Sequence, residues 1–369
     1  MLHVLPLPPA NFCHSSYAKG RESKFLYIGF VRELLNLTPL ASVQARPQSF
    51  QFNFYFDYKM ISLRLSATLI SHFLVASFAT LTLAHAQTPP TKPTPPRVFL
   101  YEIIAPAGGE QPAASAHLLF TLPFAKSDFY PLSDEVMQAY KNADTVTIEA
   151  DISDERRNSA AAQVLRYAKK DHLKRHLTPT TWASLNKMLG KQAQQFRNDH
   201  ATSVAMGLRM SVAMDFGYQV ELATDLHFIR AAKHDGKSVV ELDSIEARNQ
   251  RLASLSDKEA DAYLGATLKA YQNGELSKET LAIEEAWRNG EQPALTNALS
   301  IAINRDLGSQ KIHALLFAGR NPDIAEQLHQ QAGQNKKVFA ILDVARLVGE
   351  KSILRILEDK GYRIQRVTP

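Results

Sequence analysis

The stretch that decides the fold reads ASAHLLF (residues 114–120), PLSDEVMQAY (131–140) and TVTIEA (145–150). The first and third pieces are short apolar runs, each carrying one strongly polar residue, His117 and Glu149. Between them Ser133 precedes Asp134 and Glu135, which reads as a helix cap followed by an acidic first turn. The order is therefore strand, loop, helix, strand, and the near-continuous apolar runs suit buried strands. An imidazole and a carboxylate on neighbouring strands form the start of a metal or acid–base site. Burying Glu149 alone is costly, so it needs a cation, a metal or a proton. The plainer alternatives are a core histidine bonded to a backbone carbonyl and a sheet-edge glutamate reaching water.

Working outward, residues 97–104 alternate around Phe99 and Tyr101 as a first strand, and APAGG (105–109) is a turn signal. From about 153 to 234 the pattern is helical. Thr178 and Pro179 mark one helix start, and Asp235-Gly236 marks a stop. KSVVEL (237–242) is a short strand, and helices return from 256 to about 331. The tail reads strand (337–342), helix (349–360), strand (362–367). The expected class is α/β (α+β), a mixed sheet built from strands near both ends of the mature chain, with a large helical insertion.

The N-terminal part carries a different message. Met60 opens a basic start, the apolar run 65–83 and the exit Ala84-His-Ala86, the pattern of a secretory signal peptide over 60–86. Residues 1–59 then read as an over-extended or disordered leader, 87–96 (QTPPTKPTPP) as a proline-rich linker, and 97–369 as the folded domain. Polar residues such as Ser66, Thr68, Ser71 and His72 dilute the apolar run, so no stable membrane span is expected after cleavage. The expected location is periplasmic. Removing 1–86 leaves 35 Lys/Arg against 34 Asp/Glu, so the net charge of +5 falls to +1 and is no nucleic-acid footprint. The single cysteine, Cys13, lies upstream of that cleavage point.

There is no Gly-x-Ser-x-Gly elbow, no phosphate-cradling glycine loop, no His-Glu-x-x-His and no cysteine pair. His172 and His176 are four apart, a helical spacing, but they sit in KKDHLKRH (169–176). That density of cations opposes a divalent ion and favours a solvated basic face.

The pieces ASAH (114–117), PLSDEVMQAY and ADTVTIE (143–149) together resemble the opening of the TraB/GumN family, whose usual form is Gly-Thr-Ile-His, a proline-led helix and an apolar strand ending in Glu. The resemblance continues through AAKHDGKSVVELD (231–243), Leu255-Ser256, Arg320-Asn321 and the tail 338–367. The family includes the metal-dependent Tiki proteases. The resemblance implies a divalent metal (Mn, Co or Zn) held by two Gly-x-x-His motifs and the strand glutamate, activating water for hydrolysis, with His117 and Glu149 as ligands and Asp343 as a substitute ligand for the lost histidine. The catalytic centre is expected to comprise Glu149, Arg320 as a substrate or structural cation, and Arg346, which stands where the family has its second histidine. The chain departs from the pattern where the second motif is expected: Asp343-Val-Ala-Arg346 replaces Gly-x-x-His, and Arg346 cannot bind a metal. Leu242-Asp243-Ser244 stands for Leu-Glu-Thr, and Arg248 for a glutamine. Two readings follow: a metal-dependent hydrolase or peptidase with a partly lost site, or an inactive relative that binds a peptide or envelope-associated ligand. In the second, Arg346 pairs with Glu149.

Overall fold

The computed structural model describes residues 95–106, 115–333 and 337–368. The expected leader, signal peptide and most of the linker lie outside these residues, as does most of the turn at 105–109.

Six strands form one sheet: β1 (Phe99–Ile104), β2 (Ser115–Thr121), β3 (Thr145–Ile148), β4 (Ser238–Glu241), β5 (Val338–Asp343) and β6 (Arg363–Val367). Their order across the sheet is β4-β3-β5-β2-β1-β6. The four strands from β4 to β2 are mutually parallel, and β1 runs antiparallel to both β2 and β6. The sheet is mixed and draws on both ends of the domain, as the strand pattern predicts. Parallel pairing requires cover on both faces, and the sequence supplies it: every residue of β3 is buried, as are the first five of β5.

The helices over 134–235 are α1 (Asp134–Asn142), α2 (Glu155–Ala161), α3 (Pro179–Leu189), α4 (Ala201–Asp215) and α5 (Thr224–Asp235). Thr178 caps α3 by accepting from the Thr181 amide, with Pro179 at its first position. Gly236 ends α5 in the left-handed region, φ 69°, where a side chain is disfavoured. After β4 come α6 (Ile245–Ala253), α7 (Asp257–Gln272), α8 (Glu275–Asn289), α9 (Gln292–Ile303), α10 (Leu307–His313), a π-helical segment (Ala314–Ala318) and α11 (Asn321–Gly333). A short helix, α12 (Ile353–Asp359), separates β5 from β6.

The main core surrounds the sheet, with Phe99, Phe120, Phe129, Phe228, Phe339 and Trp287 all at or below 1% exposure. The Trp287 indole N–H donates to the Phe120 carbonyl at 3.0 Å, fixing α8 to the end of β2. A second apolar cluster joins α3, α4 and α7 through Leu185, Leu189, Val204, Leu208, Leu264 and Leu268, which is the core of the helical insertion. Among the described residues, no helix is long and apolar enough to cross a membrane.

One topological feature positions the site. After β3 the chain moves outward to β4, whereas after β5 it returns on the other side to β6. The connections leaving these two adjacent parallel strands therefore diverge at their carboxyl ends, the place where open α/β sheets bind ligands. Glu149 follows β3, and Asp343 ends β5.

Candidate functional site

β3 stops at Ile148, so Glu149 lies one residue beyond the strand, 6% exposed. Its backbone still continues the sheet, because the Glu149 carbonyl accepts from the Asp243 amide at 2.9 Å. On the neighbouring strand, Asp343 caps a short 3-10 helix (Val344–Leu347), its Oδ1 accepting from the Ala345 amide at 2.8 Å. That turn directs Arg346 inward. The guanidinium is 1% exposed and forks onto the carboxylate: Nε donates to Glu149 Oε1 at 2.6 Å, and Nη2 to Oε2 at 2.8 Å. Nη1 donates to Asn321 Oδ1 at 2.7 Å, and Nη2 also reaches the Leu316 carbonyl at 3.3 Å. Glu149 Oε1 accepts in addition from the Asp343 amide at 2.7 Å, and Arg248 lies 3.5 Å from Oε2.

This is a closed, bidentate pair in a buried setting, the geometry in which charge-assisted bonds are strongest. Burial alone would push the Glu149 carboxyl up. The Arg346 charge and hydrogen bonds, with Arg248 and the Asp343 amide, outweigh burial and hold it below the usual carboxylate range. Phe317, on the π-helical segment, lies under both guanidinium groups, 5.3 Å from Arg346 and 5.7 Å from Arg248. Single π-helical turns recur at functional sites, and this one also presents the Leu316 carbonyl to Arg346.

Two further carboxyls border the pair. Asp343 is pushed up to about 6 by burial and by the Glu149 charge. Asp225, in the first turn of α5, is pushed up to about 7 by burial and then by Glu149 and Asp343. Thr121 links them: it is the register partner of Asp343, and its hydroxyl donates to Asp225 Oδ1 at 3.3 Å. One layer out, Asp243 pairs with Arg251 and lies 4.0 Å from Arg320, whose other partner is Asp323.

Of the residues expected in the site, Glu149, Asp343 and Arg346 come together. Arg320 lies at the periphery, on Asp243 and Asp323. His117 does not join them. It pairs in register with Phe339, whereas Asp343 pairs with Thr121, four residues further along β2. At about 3.3 Å per residue this places the imidazole some 13 Å back along the sheet. There it faces Glu102 across β1, with burial lowering its pKa and Glu102 opposing that shift. At the level of Glu149 the β2 chain reads Phe120-Thr121-Leu122-Pro123. A Gly-Thr-Ile-His pattern placed there puts its threonine on Thr121 and a proline in the position of its histidine. The helical spacing of His172 and His176 is also superseded: His172 precedes a 3-10 turn (Leu173–His176), and His176 is clasped by Asp171 at 2.9 Å and Asp257 at 2.8 Å.

The residues that sequence reasoning missed are Asn321, Asp225 and Thr121. Asn321 is fully buried and ties the pair to the chain beyond it, donating from Nδ2 to the Lys351 carbonyl at 2.7 Å. Its place beside Arg320 in the family-like Arg320-Asn321 pair is the sequence signal that points to it.

The donor set does not suit a divalent ion. Both oxygens of Glu149 accept from Arg346, and among the described residues no imidazole is hydrogen-bonded to them. Among the described residues, no group of three or more His, Cys, Asp or Glu side chains is arranged to hold a metal. A dication ~4 Å from a guanidinium meets a repulsion of roughly 8 kcal/mol at an effective dielectric of about 20.

The profile of the TraB/PrgY/gumN family matches residues 110–366, which include all six strands except β1 and the end of β6. The chain belongs to the TraB/PrgY/gumN family. Among curated relatives, this TraB/PrgY/gumN member is similar to the uncharacterized protein YbaP of Shigella flexneri, 26% identical over 146 residues, 39% of this chain and 53% of the relative. It is equally similar to YbaP of Escherichia coli strain K12, 26% identical over 145 residues, 38% of this chain and 53% of the relative. The match thus spans about half the length of these relatives. No solved structure is significantly similar to the chain.

Proposed function

We propose that this TraB/PrgY/gumN member is an exported, periplasmic protein that binds a peptide or other envelope-associated ligand at the carboxyl ends of β3 and β5. It does so without metal-assisted hydrolysis. The observation that carries this reading is the forked Arg346–Glu149 pair, which fills with a permanent cation the place where the family resemblance implies a metal. The rim left available is polar: Arg248, Asp343 and Asp225 are only partly buried and present both a cation and carboxyl groups. Export is supported by the Met60 start, the apolar run 65–83 and the small-x-small exit at Ala84–Ala86.

The test is equilibrium dialysis of purified protein against Mn, Co and Zn, followed by metal analysis. The expected result is no stoichiometric metal sensitive to Glu149→Gln. One equivalent of bound metal, lost in Glu149→Gln, would restore the metallohydrolase reading and overturn this one.

A further inference from the structure

The helical insertion carries a charge imbalance that the sheet-end site does not use. Residues 162–198 hold eight Lys/Arg and one acid, Asp171, although the whole chain holds 42 and 37. The rest of the chain is thus slightly acidic, with 34 basic residues and 36 acidic ones. The positive balance of this protein resides in this segment.

The segment also contains a cleft of about 190 Å³ lined by His172, Lys174, Trp182, Gln194 and Arg197. The lining holds two permanent cations, an imidazole, an amide and an aromatic face, and no carboxylate. Among the described residues, neither Lys174 nor Arg197 has an ion-pair partner, and both are exposed. The Lys174 ammonium lies 5.7 Å from the centre of the Trp182 ring. The carboxylates nearby are engaged elsewhere. Asp171 and Asp257 hold His176, and Asp171 also lies 3.8 Å from Arg175. Asp261 accepts from the Thr178 amide at 2.9 Å and from its hydroxyl at 3.1 Å. Cationic side chains therefore line the cleft with no carboxylate to neutralise them. A fork-shaped guanidinium beside a three-donor ammonium suits a compact, multiply charged oxyanion.

We propose that this cleft is a binding site for a phosphate-bearing ligand, held between Lys174 and Arg197 with Trp182 as its floor. The phosphate comes from a soluble phosphorylated molecule or from a lipid headgroup. Lys169, Lys170 and Arg175 extend the same field across the exposed face and add attraction that salt screens.

The experiment is a fluorescence titration of the purified protein. Trp287 is buried in the sheet core, so a response at the cleft belongs to Trp182 and disappears in Trp182→Phe. The probes are inorganic phosphate, glucose 6-phosphate, and vesicles of phosphatidylglycerol against phosphatidylcholine. The expected result is a saturable change with a phosphate-bearing probe, weakened at least tenfold in the Lys174→Ala/Arg197→Ala double variant and retained in Lys187→Ala. Both replaced side chains are exposed, so the double variant is expected to keep the wild-type melting temperature. A response to the soluble probes identifies a free phosphorylated ligand, and a response to phosphatidylglycerol vesicles alone identifies the lipid headgroup. No response to any phosphate-bearing probe, or equal affinity in the double variant, overturns the proposal.

Discussion

Glu149 and Arg346, 197 residues apart in sequence, share two parallel hydrogen bonds of 2.6 and 2.8 Å in the interior of the protein. The pair joins the ends of two adjacent parallel strands at the point where their onward connections diverge. Each partner is also held from outside the pair, Glu149 by the Asp343 amide and Arg346 by Asn321. A buried ion pair is not by itself a source of net stability, but removing one partner strands the other charge away from water.

Arg346→Lys keeps the charge and loses the fork. A single ammonium cannot serve both Glu149 oxygens and Asn321 Oδ1 from the same position. The variant is expected to lose about 1–3 kcal/mol of folding stability, measured by urea denaturation.

Asn321→Leu leaves Nη1 of Arg346 and the Lys351 carbonyl without the partner that now serves both. Roughly 1–3 kcal/mol of destabilisation is expected. By contrast, Asp323→Ala removes a partner of Arg320 on the exposed rim and is expected to change stability by less than about 1 kcal/mol. Comparing their melting temperatures separates the buried network from its periphery.

Asp225 gives the site a pH dependence of definite sign. Its carboxyl is pushed up to about 7 by burial and then by Glu149 and Asp343. The native state therefore keeps a proton that the unfolded chain releases near its ordinary value of 3.8, and stability falls as pH rises between these values. Asp225→Asn cannot ionise. Its stability relative to the wild type should improve by roughly 1–3 kcal/mol from about pH 4 to about pH 8. A constant difference across that range would contradict the assignment.

His176 gives a pH dependence of the same sign, but from a stabilising cation rather than a strained carboxylate. Burial opposes its protonation, but the hydrogen bonds and charges of Asp257 and Asp171 outweigh burial and raise its pKa. The stability gained is complete below its ordinary value of 6.5 and is lost as pH rises through the raised value. His176→Gln should therefore cost more at about pH 5.5 than at about pH 8.5, and thermal melts at the two pH values measure the difference.

The fold was largely legible because its strands are short apolar runs with clear boundaries. All six match expected segments to within two residues. The Arg346–Glu149 pair was legible too, since a cation replacing an expected ligand must find a countercharge. His117 shows where one sequence falls short. A motif of a few residues can be placed on either half of a strand, and only the pairing of Thr121 with Asp343 shows which half reaches the site. Asn321 and Asp225 gave no distinct signal, because polar residues at helix starts look like ordinary caps or first-turn acids. The expected signal peptide lies outside the described residues.

A double-mutant cycle on Glu149→Gln and Arg346→Met tests the central claim most directly, using the folding free energies of the wild type, the two single variants and the double variant. Each single replacement is expected to cost about 3–5 kcal/mol, and the double variant to cost clearly less than their sum, giving a coupling of at least about 2 kcal/mol. Additive single effects, with coupling below about 0.5 kcal/mol, would contradict the pairing of Arg346 with Glu149 on which the account rests.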